Sequence, residues 1–297
     1  MAFILLAIST SCETVVFFDI PLGQPKIVLN SVINPDSLIQ ARLTENKHTL
    51  DDNFSFTIIG NADVKLYENN LLIDVLSYQS GQYLLNNGFY PVPGNIYKIE
   101  AVATGYPNVF SEITMPEIAP LPSIIEMKEI PGEFENKLEF TLSIPDNPET
   151  NYYGLKLEVY QYEFDPFLPV PAKIDSTLFP VYIETSDPLF TQESYSYEIF
   201  LLFDDQSFSS QTGSGIVYTE FPISGNPTGI PFKQSLRISL QNLNPDYFFY
   251  LKSLFMQQRV DGDPFAEPVI VYNNIENGLG IFGAYTQAVL DTFIVLN

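Results

Sequence analysis

The sequence predicts an all-β protein: an N-terminal antiparallel β-sandwich of immunoglobulin or transthyretin type, then a second β-rich, fibronectin-like domain with one helix. Three observations carry this. Hydrophobic residues make up 45% and charged residues only 16% of the 297, a balance that favours a packed core over disorder. Short runs of β-branched and aromatic residues, supplied by 24 Phe and 18 Tyr with no Trp, are bounded by turn formers. The 23 Pro and 16 Gly are scattered rather than periodic, which suits many turns and no fibrous repeat.

Residues 3–16, FILLAISTSCETVV, come first in order. A spanning helix needs roughly 20 apolar residues, and the apolar run of residues 2–8 is far shorter. Its size suits a signal-peptide core, and Ser9, Thr10 and Ser11 are the small residues expected before a cleavage point. Cys12, the single cysteine, follows them as in a bacterial lipobox, where a thiol is acylated and becomes the mature N-terminus. No Lys or Arg precedes Cys12, a departure from the pattern that fits a start inside a longer signal. The competing reading is an N-terminal strand ending in a buried free cysteine. Residues 1–11 are thus expected as signal and 12–25, with PLGQP, as the linker leaving the anchor. The lipid bilayer is then a partner through acylated Cys12.

Residues 26–118 form the expected sandwich. KIVLNSVI, LIQARLT, FSFTIIG, NADVKLYENN, LLIDVLSYQ, GQYLLNN and NIYKIEAVAT each read as a strand, about seven in roughly 90 residues. NPDS is a turn and ENN a hairpin connection. PEIAPLPS, with three prolines, reads as a stiff interdomain connector opening the second domain, 119–297. There NKLEFTLSIPD, NYYGLKLEVYQYEF and KQSLRISLQNL are strand-like, around a loop-rich middle from about residue 165 to 230. NPDYFFYLKSLFMQQRV is the helix, near 245–260: Asn244 caps it, Pro245 opens it and Asp246 lies in its first turn. Phe248, Leu251, Leu254 and Phe255 share one face, for core packing or a partner groove. In NGLGIFG, three glycines flank apolar residues, as in a bulged strand tucked against other backbone or a close approach to a partner.

The formal net charge of -23, from 13 Lys+Arg and 36 Asp+Glu, excludes a nucleic-acid partner and disfavours an anionic membrane surface. Catalytic chemistry is sparse. One histidine, His48 in ENKHTLDDN, and one cysteine cannot build a Cys/His zinc site. A Ser-His-Asp triad would have to use that loop histidine. No phosphate-cradling or dinucleotide glycine motif occurs, and no cofactor is expected. The acidic candidates are calcium ligands: Asp261 and Asp263 with Glu267, then the pairs Asp51–Asp52 and Asp204–Asp205. None has the twelve-residue calcium-loop spacing, and solvated turns are the stronger reading of them. Aromatic loops offer binding candidates: Phe164 and Phe167 in FDPFLPVP, Tyr195 and Tyr197 in SYSY, Tyr78, Tyr83 and Tyr90 earlier, and FFY at 248–250.

Several segments in order, CETVVFFDIPLGQPKIVLNSVINPDS, NADVKLYENNLLI, GFYPVPGNIYKIEAVATGYP and ENGLGIFGAY, resemble a family of uncharacterised Bacteroidota outer-membrane lipoproteins defined by a domain of unknown function. The resemblance covers nearly the whole chain. It implies an outer-membrane lipoprotein encoded beside a TonB-dependent β-barrel transporter, which would be its partner in nutrient uptake, with no enzymatic activity established for the family. The start Cys-Glu-Thr is less acidic than surface-export signals, which leaves both faces of that membrane open. Two function classes follow: a non-catalytic, lipid-anchored binding or accessory protein, with a free-standing adhesin as its variant, and a secreted carboxylate-dependent hydrolase acting on glycans.

Overall fold

The structure is a computed structural model that describes residues 24–47, 55–132, 137–145, 149–164, 173–181, 183–195, 198–208, 212–220, 232–260 and 265–293. Its first half holds β1 (Ile27–Ile33), β2 (Gln40–Glu45), β3 (Asp63–Glu68), β4 (Leu71–Gln79), β5 (Gln82–Leu84), β6 (Ile96–Val102) and β7 (Val109–Thr114). The second half holds β8 (Ser123–Ile130), β9 (Lys137–Ile144), β10 (Tyr152–Phe164), β11 (Lys173–Pro180), β12 (Ile183–Glu184), β13 (Thr191–Tyr195), β14 (Glu198–Asp204), β15 (Gly213–Glu220) and β16 (Phe232–Leu243). Helix α1 (Pro245–Val260) and β17 (Leu279–Phe293) complete it. The protein is mostly β, as its composition predicts.

Local chemistry sets the first hairpins. Asn69 and Asn70, with φ of 48° and 66°, form the two-residue turn between β3 and β4. Ser80 and Gly81, at 48° and 92°, do the same between β4 and β5. Two positive-φ residues match the right-handed twist of the flanking strands. Strict alternation then buries one face: Tyr97, Ile99 and Ala101 of β6 point inward, as do Ile27, Leu29 and Ile33 of β1.

FSFTIIG departs from expectation: its described residues, 55–60, form no strand beyond a single bridge at Ile58. It runs beside β2 through Glu45 N–H to Thr57 O and Ile59 N–H to Leu43 O, with one bridge at Ile58. The Tyr83 hydroxyl then ends the ladder, donating to Ile59 O at 2.8 Å and accepting from Ala62 N–H at 2.9 Å.

The large sheet runs β13-β14-β10-β16-β17-β1-β2-β5-β4-β3-β6-β7, with β11 beside β10. β17 is its hinge: it pairs antiparallel with β16 and parallel with β1, Asn30 lying beside Ile281. Just before β17, Glu276 N–H donates to Phe110 O of β7, so the first half curls around one core that also takes in Ile275, Phe282 and Ala284. The close approach explains the glycines. A Cβ on Gly280, whose φ is +111°, would sit 2.1 Å from Leu29 O.

The second sheet, β12-β15-β9-β8, packs on the other half of the large one. Leu138, Phe140, Leu142 and Ile144 of β9 meet Leu155 and Leu157 of β10 and Ile238 and Leu240 of β16. On the opposite face, Phe200 and Leu202 of β14 pack with Phe248, Leu251 and Phe255 of α1, while Leu201 and Phe203 face the sandwich. The unbroken apolar run IFLLF therefore belongs to a strand covered on both sides.

The proline-rich connector is clamped rather than loose. Glu117 O accepts from Asn242 Nδ2 at 3.1 Å and from the Thr286 hydroxyl at 2.6 Å, and that hydroxyl accepts from Ala119 N–H. Asn242 also donates to Asn151 Oδ1, and Asn151 donates N–H and Nδ2 to Asp205, which is 2% exposed. Such donors are what a buried carboxylate requires.

Candidate functional site

Cys12, His48, Asp51, Asp52, Phe167, Tyr197, Asp261 and Asp263 lie outside the described residues. Phe164 and Tyr195 end β10 and β13, so these two are strand-terminal positions. Glu267 is exposed, and Asp204 and Asp205 are committed to local structure: Asp204 accepts from Gln206 N–H, Asp205 from Asn151. Among the described residues no group of three or more His, Cys, Asp or Glu is arranged to hold a metal ion. Tyr78 and Tyr83 pack against each other at 5.2 Å across β4 and β5, a cross-strand pair.

The most distinctive surface is built on α1. Asn244 is its cap, and more: Oδ1 accepts from Tyr247 N–H in the first turn and from Ala284 N–H on β17, while Asn244 N–H donates to Ala284 O. One side chain thus fixes the helix start to the hinge strand. The helix lies so close that a Cβ on Gly283 would meet Tyr247 at 2.8 Å. Phe248, Leu251 and Phe255 fill the core beneath, which leaves Phe249 and Met256 on the outer face.

The chain then returns over the helix. Tyr272 N–H donates to Ser253 Oγ at 2.8 Å, the Tyr272 hydroxyl donates to Asp246 Oδ1 at 2.6 Å, and its ring meets Phe249 at 6.0 Å. Burial, and then the Asp246 carboxylate, push the Tyr272 phenol up to about 12, so it stays a donor at any physiological pH. A second asparagine holds the far end. Asn274 donates Nδ2–H to Phe282 O and accepts Phe282 N–H on Oδ1, imitating a strand neighbour for β17.

Along this return Phe265 is 94% and Ile270 90% exposed, and on the helix Phe249 and Met256 are half-covered. Burying such side chains is worth about 1.5–3 kcal/mol each, so Phe265 and Ile270 are candidate contact residues. Beside the helix, a cleft of about 240 Å3 is lined by Leu202, Phe203, Asp204, Phe248 and Lys252, among others.

FFY was singled out from the sequence, and the structure divides it: Phe248 goes inward and Phe249 outward. Phe265 and Ile270 were missed as surface residues. Their signal was an apolar stretch, PFAEPVIVY, broken by prolines and therefore without a regular strand partner.

The sequence profile of the family DUF4249, described as a domain of unknown function, matches residues 13–290. No curated protein matches the chain. With a match over nearly its full length, the chain belongs to the DUF4249 domain family.

Proposed function

We propose that this protein is a lipid-anchored accessory protein of a Bacteroidota outer membrane, held by acylated Cys12. It acts by binding, and its stable partner is a TonB-dependent β-barrel transporter that it assists in nutrient uptake. The carrying observation is the exposed apolar side chains Phe249, Met256, Phe265 and Ile270, on a helix that Asn244 fixes to β17 and on the return segment that Tyr272 ties to the helix and Asn274 to β17. Exposed aromatic and aliphatic anchors on a rigid support are the residues that dominate protein interfaces. An acyl anchor supports the same reading, because confinement to the membrane plane raises the effective concentration beside an integral partner.

The test is affinity purification from native outer membranes in mild detergent, followed by sizing. The expected result is a complex containing a β-barrel, weakened by Phe265→Ser with Ile270→Ser, and a fatty-acid analogue incorporated by the native chain but not by Cys12→Ala. Migration as the lone chain under every growth condition overturns the proposal. So does glycan hydrolysis that disappears when a single carboxylate is removed.

A further inference from the structure

The outer face of the first half-sheet carries a row of polar side chains that no packing role explains. In register, Asn30 of β1 lies opposite Arg42 of β2. The pairing of Gln40 with Leu84 and Ala41 with Tyr83 places Arg42 beside Gln82 of β5, and Gln79 of β4 pairs with Gln82. Asn30, Arg42, Gln82 and Gln79 thus cross four strands in one line, and Gln40 stands one outward position from Arg42. Asn30, Gln40, Arg42 and Gln82 line a cleft of about 220 Å3, together with Ser31, Val32 and Ala41. The Ser31 hydroxyl is already used, donating to Gln40 O at 2.7 Å.

Charge makes this row informative. The chain has 36 Asp and Glu for 13 Lys and Arg, so acids outnumber bases nearly threefold. Five other described cations take carboxylates, Lys65 with Asp63, Lys98 with Glu100, Lys128 with Glu139, Lys137 with Glu184 and Arg237 with Asp291, while Lys47 and Lys252 sit over the rings of Phe56 and Phe248. Arg42 has no such partner among the described residues, and no acid lines its cleft. Its backbone is held between Ala41 and Leu43, 1% and 0% exposed, so the guanidinium stands on a rigid strand. A planar fork of five N–H donors, flanked by neutral amides that donate and accept, is matched to a carboxylate with neighbouring polar groups.

We infer that the Arg42 cleft is a binding site for a small carboxylate-bearing ligand: the guanidinium takes the carboxylate, and Asn30, Gln40 and Gln82 take adjacent hydroxyl or amide groups. The carboxylate could come from a uronate sugar or from a peptide C-terminus, chemistry that the two share at the guanidinium. The site needs no membrane partner, so it and the docking surface can fail separately.

The experiment uses the full chain labelled with 15N and titrated with galacturonate, galactose and N-acetylglycylglycine, reading the Arg42 Nε–H resonance in the native chain and the Gln82 backbone amide, which lines the same cleft, in the native chain and its variants alike. Galacturonate or N-acetylglycylglycine is expected to shift it saturably, and the tighter of the two identifies the source; galactose, lacking the carboxylate, is expected to leave it in place. Arg42→Gln should weaken binding at least about tenfold, the loss expected for hydrogen bonds to a charged group. Arg42→Lys should weaken it too, because the fork is lost while the charge remains. Since Arg42 is exposed, both variants should melt as the native chain does. No saturable shift with either carboxylate, or unchanged affinity in Arg42→Gln, overturns the inference.

Discussion

Replacing Gly280 with alanine tests the idea that β17 is the hinge of the molecule. The added Cβ would lie 2.1 Å from Leu29 O, 2.8 Å from Leu29 C and 3.0 Å from Leu29 N. All three atoms are backbone of β1, so no side chain can swing aside. Relief requires β1 and β17 to separate along the parallel ladder from Val28–Leu279 to Ile33–Ala284. The φ of +111° adds strain of about 1–3 kcal/mol for any residue with a Cβ. Each ladder hydrogen bond lost from a buried pair adds about 1 kcal/mol. The expected destabilisation is therefore at least about 3 kcal/mol, or roughly 6 °C or more in melting temperature for a chain of this size. Gly105→Ala is the matched control: its φ is +92° but nothing lies within 4 Å of its Cβ, so it carries the strain without the collision. Melting followed by circular dichroism on both variants separates the two terms. If Gly280→Ala melts within about 1 °C of Gly105→Ala, the close approach of β1 and β17 is not what fixes this junction.

Three further outcomes follow from the same geometry. Asn244→Ala leaves the Tyr247 and Ala284 N–H groups without their acceptor and should cost about 2–4 kcal/mol in chemical denaturation; a cost below about 0.5 kcal/mol would mean water replaces it freely. Thr286→Val keeps the shape but removes the hydroxyl that grips Glu117 O and Ala119 N–H, so proteolysis within residues 116–123 should accelerate; unchanged cleavage would show that the prolines alone hold the connector. The third concerns pH: the Arg237 guanidinium, bonded at 2.8 and 3.0 Å, holds the Asp291 carboxyl below its usual range. A depressed carboxylate contributes stability that is full above its unfolded value and fades as pH falls through the folded one. Arg237→Gln should therefore be less stable than the native chain at neutral pH, with the gap closing below about pH 4; a gap independent of pH would assign the loss to packing with Tyr160.

Local chemistry made much of the fold legible. Asn69-Asn70 specifies a turn because two adjacent residues tolerate positive φ, and Asn244-Pro245-Asp246 specifies a helix start because cap, fixed φ and first-turn acid coincide. The alternation in IYKIEAV and KLEFTLSI gives each strand one buried face before any partner is known. The order of segments such as ENGLGIFGAY carried the family resemblance, which needs no three-dimensional information at all.

Other features depended on residues far apart in the chain. Nothing in IVLNSVI announces a parallel partner beginning at Leu279; the glycines of NGLGIFG signal close backbone approach, but which backbone is settled only when β17 lies between β1 and β16. Phe248 and Phe249 are identical as letters, and the position of β14 under the helix decides which is buried. Arg42 reads as one cation in an acidic chain, since a sequence lists charges but not the distances between them. It becomes a candidate site only because β1, β2 and β5 align neutral amides around it and, among the described residues, no carboxylate pairs with it. Periodicity and turn chemistry act over a few residues and are written locally; pairing, exposure and electrostatic isolation belong to neighbours that only the folded chain supplies.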